Sequence, residues 1–115
     1  MGDIIGKRYA SALFESGLEL KKISEFNTEL EFLRLTFEEK DELLKTLNHP
    51  KIKKEEKINI IESIFKNRIS NEMMNFLYIL LENRRMVYFR EIAHEYNTLF
   101  NEHENIVKVV AITAV

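Results

Sequence analysis

The sequence predicts an all-α six-helix bundle, and three observations carry that prediction. Apolar residues recur at three- and four-residue intervals through most of the chain. Only 3 Gly and 1 Pro punctuate 115 residues, too few turn formers for a sandwich or barrel of many short strands. Hydrophobic residues make up 45% and charged residues 31%, the balance of a single globular domain built from amphipathic elements. A chain of this length buries roughly two-thirds of the surface its unfolded form exposes, enough for a core without cross-links.

The first helix follows Asp3, a candidate N-cap, with Ile5, Tyr9, Ala12, Leu13 and Phe14 in helical register, and fades at Lys21-Lys22. The second carries Ile23, Phe26, Leu30, Leu33 and Phe37, an unbroken core-facing stripe, with Ser24 as its expected cap. Asp41 opens a short third helix bearing Leu43, Leu44 and Leu47. Asn48-His49-Pro50 ends it, because the residue before proline is pushed out of the α region. The fourth, after KIKKEEK, carries Ile58, Ile61, Ile64 and Phe65, and Glu55 and Glu56 partly offset a lysine-rich first turn. Ser70-Asn71 caps a fifth helix over Met73–Leu81, apolar or aromatic except at Asn75. Past the Glu82–Arg85 corner, Phe89, Ile92, Ala93, Tyr96, Leu99 and Phe100 form a sixth that dissolves into NEHEN.

The final segment changes character. Ile106, Val107, Val109, Val110 and Ile112 are β-branched and nearly contiguous, the composition of a strand. A lone strand has no partner in this chain, so it either pairs with another copy or continues into further sequence; the preferred reading is a bundle over residues 1–105 and, over 106–115, the linker and first strand of a truncated second domain.

Composition also excludes functions. Lys+Arg 17 against Asp+Glu 19 gives a net charge of -2, without the cationic surplus of a nucleic-acid binder or a polybasic membrane anchor. No apolar run approaches the length of a membrane span, and MGDIIGKRYA has no signal-peptide core, which argues against direct membrane insertion. The absence of Cys removes disulfide and thiol chemistry.

Catalytic templates fail one by one. Gly6-Lys7 lacks both the spacing and the following Ser or Thr of a phosphate loop. His94-Glu95 begins a zinc-protease pattern, but Thr98 stands where the second imidazole belongs. Glu91 and His94 match half of a di-iron motif whose second copy is missing. His103 between Glu102 and Glu104 reads as a solvated helix end, His49 as a turn residue, and Arg84, Arg85 and Arg90 as local ion-pair partners of Glu82 and Glu91. No catalytic residue, cofactor or metal site is expected.

The informative anomaly is apolar. On the first helix Ala10, Leu13, Phe14 and Gly17 already make a core face, yet Ile5, Tyr9, Ala12 and Ser16 form a neighbouring stripe. On the fifth, Met73, Phe76, Leu77 and Leu80 face inward, which turns Ile79 outward beside Asn75 and Asn83. Periodicity fits two arrangements equally: a groove for a partner helix, or central helices buried on two sides.

Specific residues add to this. Lys7-Arg8-Tyr9-Ala10-Ser11-Ala12-Leu13-Phe14 resembles the R-Y-A-x-A-L-F opening of the delta subunit of bacterial F-type ATP synthase. Leu47-Asn48-His49-Pro50 with Lys57 and Ile60-Ile61 is similar to the family's N-H-P turn. Asn75-Phe76-Leu77 through Leu81-Glu82-Asn83-Arg84-Arg85 is similar to its N-F-L and L-x-x-N-x-R segment. Val107–Ala114 resembles the strand that opens the family's second domain. Two departures stand out: Arg84 replaces a frequent Gly, and the fourth helix lacks a Ser or Thr cap.

The resemblance implies a non-catalytic stator subunit of the proton-translocating synthase, counterpart of the mitochondrial oligomycin-sensitivity-conferring protein. It implies a six-helix domain that holds the amphipathic N-terminal helix of an alpha subunit between helices one and five, with Tyr9, Ala12, Asn75 and Ile79 at the contact. It further implies contact with the b subunits of the peripheral stalk through the second domain, on the cytoplasmic side of the bacterial inner membrane. The alternative from pattern alone is an unrelated helical adaptor that binds an amphipathic helix.

Overall fold

The computed structural model describes residues 2–113, with side-chain positions through Lys108. Six α-helices and one 3₁₀ turn follow in order: α1 (Gly2–Leu20), α2 (Ile23–Glu39), α3 (Asp41–Leu47), α4 (Lys54–Phe65), α5 (Asn71–Glu82), the 3₁₀ turn Met86–Tyr88, and α6 (Phe89–Thr113). The connections are short, and α1 packs on α2, α2 on α3 and α4 on α5.

Each helix buries the face that its pattern marks. Phe26, Leu30, Leu33 and Phe37 of α2 are all buried. Phe37 stands at the centre, edge-on to Phe89 at 5.0 Å and to Phe65 at 5.9 Å, the T-shaped geometry that aromatic quadrupoles favour. Among the described residues no polar or charged residue is fully buried. Tyr96, counted with the apolar core, is fully buried, and its hydroxyl donates to the Ile23 carbonyl at 2.7 Å. Burial pushes the Tyr96 phenol well above its ordinary range.

α1 and α6 run parallel, since Gly2 and Gly6 lie against Glu91 while Phe14 meets Tyr96 and His103. α2 runs antiparallel to α6, with Phe37 beside Phe89 and Ile23 beside Tyr96. The α1–α2 turn is closed by Lys22 N–H to Gly17 C=O at 2.8 Å and Lys21 N–H to Leu18 C=O at 3.3 Å, a Schellman motif with Lys21 left-handed at φ 59°. Arg85 N–H to Leu80 C=O (2.7 Å) and Arg84 N–H to Leu81 C=O (3.2 Å) end α5 in the same way. Arg84 takes the left-handed position at φ 56°, so the corner keeps its motif without a Gly.

Several expectations need correction. α6 does not dissolve at NEHEN, and residues 106–113 continue it as helix, so the strand expected over 106–115 is not formed over 106–113. Positions 114 and 115 lie outside the described residues. β-branching costs only a few tenths of a kcal/mol per residue in a helix, and extending an existing helix needs no new nucleus. Ser24 does not cap α2: the N-cap is Lys22 without a side-chain bond, and Ser24 lies in the first turn. Asp3 likewise lies inside the first turn of α1, and Asp41 inside that of α3, where each complements the helix dipole. Lys53 caps α4 with no side-chain bond, in keeping with the missing Ser or Thr.

Ser70 does cap α5. Its hydroxyl accepts from Met73 N–H at 3.2 Å, while the Glu29 carboxylate receives both the Ser70 N–H and, at 2.9 Å, the Ser70 hydroxyl. That carboxylate ties α2 to the start of α5.

Candidate functional site: a seam between α1 and α5

The residues singled out on α1 and α5 are split by the fold between core and surface. Ile5 is buried and belongs to the core. Tyr9 and Ser16 are half-buried, and Ala12 is exposed. On α5, Asn75 is exposed and Ile79 is 49% exposed, while Met73, Phe76, Leu77 and Leu80 are buried. Two-sided burial is therefore not the explanation for Ala12, Asn75 and Ile79.

Two bonds relate the helices. Asn83 Nδ2 donates to the Tyr9 hydroxyl at 3.0 Å, and Lys22 Nζ donates to Glu72 Oε1 at 2.5 Å. The first joins the front half of α1 to the end of α5, and the second joins the turn after α1 to the start of α5. The helices accordingly run antiparallel, clasped at both ends. Between the clasps lie 9–22 on one side and 72–83 on the other, about 17–20 Å of helix at ~1.5 Å per residue. Glu72, Asn75, Ile79 and the C-cap Asn83 are spaced by three and four, so they fall on one line along α5; Asn83 bonds to Tyr9 of α1 and Glu72 to Lys22 in the turn after α1.

Between its polar ends the seam presents two apolar side chains and one amide. Ile79 offers an exposed side chain, Ala12 a short one that allows close backbone approach, and Asn75 an amide with donors and an acceptor. The Lys22 hydrogen bond holds the Glu72 carboxyl below its ordinary range, and the same bond raises the Lys22 ammonium. Exposed Ala12, Asn75 and Ile79 lie between the two bonds.

The remaining candidates separate. His94 is exposed and Glu91 half-buried, and the described residues contain no group of three metal-ligating side chains. His103 is not a solvated helix end: it is half-buried edge-on to Phe14 at 5.8 Å, with Nδ1 buried and unpartnered. The arginine pairings also differ from expectation. Glu82 pairs with Lys54 at 2.5 Å, Arg90 with Asp41 at 3.4 Å, and Arg85 lies 6.0 Å from the Tyr88 ring. Sequence reasoning missed Lys22 and Glu72, whose partnership spans fifty positions and left no local signal. His49 is a turn residue, accepting Lys51 N–H at 3.1 Å.

The fold thus defines an all-helical bundle with Ala12, Asn75 and Ile79 exposed along one face. A sequence profile of the ATP synthase delta (OSCP) subunit family matches residues 5–115, and the chain belongs to that family. It is similar to the ATP synthase subunit delta of Alkaliphilus oremlandii, 41% identical over 115 residues, covering 100% of this chain and 64% of that protein. The ATP synthase subunit delta of Alkaliphilus metalliredigens is 39% identical over 114 residues, covering 99% and 63%. That of Lachnoclostridium phytofermentans is 37% identical over 106 residues, covering 92% and 58%. The chain therefore spans less than two-thirds of the length of these relatives.

Proposed function

We propose that the chain is the helix-binding part of a peripheral-stalk stator subunit in a proton-translocating F-type ATP synthase. Its seam takes the amphipathic N-terminal helix of an alpha subunit. The single observation that carries this reading is the α1–α5 seam: two antiparallel helices, clasped at both ends, with Ala12, Asn75 and Ile79 exposed between the clasps. Family membership supports the setting and displaces the alternative of an unrelated helical adaptor.

The role is mechanical and non-catalytic, without cofactor. A stator resists torque, so the contact must dissociate slowly, and burying the apolar face of a helix in a preformed seam serves that need. Ile79 and Tyr9 anchor the partner by area, Ala12 permits close approach, and Asn75 fixes register by a hydrogen bond. The b subunits of the stalk are the second partner of this reading, through the second domain that the resemblance implies. The protein sits peripherally on the cytoplasmic side of the bacterial inner membrane; no described helix is long and apolar enough to cross a membrane.

Because the chain has no native Cys, a single Ile79→Cys variant gives a clean disulfide test. Mixed with an alpha-subunit N-terminal peptide bearing one cysteine on its apolar face, it should crosslink under mild oxidation. A cysteine on the peptide's polar face should not. Equal crosslinking by both peptides, or by neither, would overturn the assignment.

A further inference from the structure

A second surface stands apart from the seam. The turn after α3 and the corner after α5 enclose a depression of about 380 Å³. Leu47, Ile52, Leu81 and Met86 give it apolar walls, and Val87 at its rim is 56% exposed. Its charged lining is Lys54, Lys57, Glu82 and Arg84, a surplus of positive charge on a chain whose net charge is -2. Glu82 is occupied by Lys54 at 2.5 Å. Among the described residues neither Lys57 nor Arg84 makes a side-chain hydrogen bond or ion pair, so two cations border an apolar hollow without a counter-charge. The N-H-P turn and the Leu81–Arg84 stretch, two motifs the seam leaves largely unused, meet here.

We propose that this depression binds a short acidic peptide segment of a partner protein, with one large apolar side chain in the hollow and a carboxylate between Lys57 and Arg84. The volume suits that ligand, because a hollow of this size admits a single large side chain and its flanking backbone. The charge suits it as well: two uncompensated cations attract a carboxylate, and the apolar walls reject a bare hydrated ion. Arg84 is held by the α5 Schellman motif, so its guanidinium is presented from a fixed backbone corner.

The test is an amide-resolved NMR titration of the 115-residue chain with a blocked peptide of alternating Leu and Glu. The expected result is saturable shifts confined to residues around 47–57 and 81–87. Affinity should drop about tenfold for the Leu-Gln peptide and for the Lys57→Gln, Arg84→Gln double variant, the loss of two partly exposed ion pairs. The Leu-Gln arm keeps the test decisive if the double variant fails to fold. Absence of shifts at millimolar peptide, unchanged affinity for Leu-Gln, or shifts centred on Ala12 and Ile79 would each overturn the proposal. Inorganic phosphate shifting the same amides as strongly as the peptide would also overturn it, by making the site one for small anions.

Discussion

Asn83 and Tyr9 stand 74 positions apart in the chain, yet the amide of one donates to the hydroxyl of the other at 3.0 Å. With the Lys22–Glu72 bond at the opposite end, it holds α1 and α5 side by side while leaving the surface between them open. Four predictions follow from how that frame is built.

Gly17 lies where α1 turns into α2, and a Cβ there would come within 2.8 Å of Ile23 Cγ2 and 3.2 Å of the Phe26 ring. Ile23 is β-branched and its own Cα is 3.3 Å away, so little can yield. Gly17→Ala should destabilise the chain by about 1–3 kcal/mol, because overpacking outweighs the gain of about 1 kcal/mol in helix propensity. Urea unfolding measures it; an unchanged or higher midpoint would show that the crossing is looser than described.

Arg84 occupies a left-handed position at φ 56°, a conformation costing an L residue about 1–2 kcal/mol. Replacement by glycine removes that strain and adds unfolded-state entropy. Arg84→Gly should therefore raise stability by a few tenths to about 1 kcal/mol. A lower denaturation midpoint would mean that the arginine side chain stabilises the corner more than its backbone strains it.

The Lys22–Glu72 clasp responds to acid. Its hydrogen bond lowers the folded-state pKa of Glu72 below 4.5, so the stabilisation is present above that value and is lost as pH falls through the lowered pKa. Lys22 is raised above 10.5, and its share is lost only as pH climbs through the raised value. The clasp is thus closed across the neutral range. Carboxyl-carbon NMR should place the Glu72 midpoint below 4.5 in the native chain and move it upward in Lys22→Gln. A native midpoint at or above 4.5 would show that the clasp is open in solution.

The core of this fold is written locally, and its seam is not. The stripe Phe26–Leu30–Leu33–Phe37 is legible because every member is buried and spaced by the helical period, and tertiary packing only confirms it. The outward turn of Ile79 was equally legible, since six buried neighbours on α5 leave it no inward position. The end of α6 was misread because β-branched residues favour strands only weakly when a helix already propagates into them. Ser24 does not cap α2 because the Schellman turn places the N-cap at Lys22, two residues earlier. The clasps were invisible because Lys22 with Glu72, and Tyr9 with Asn83, are neighbours only after folding.

Ala12 carries the sharpest test of the central claim, because it is exposed in the free chain and covered only if the seam receives a helix. Calorimetric titration of this chain with the N-terminal helix peptide of its alpha subunit should give one-to-one binding. Ala12→Asp, with native circular dichroism, should weaken it by at least about 2 kcal/mol, roughly thirtyfold in Kd, by placing an uncompensated charge in the contact. Undiminished binding by a folded Ala12→Asp chain, or no binding by the native one, would contradict the account.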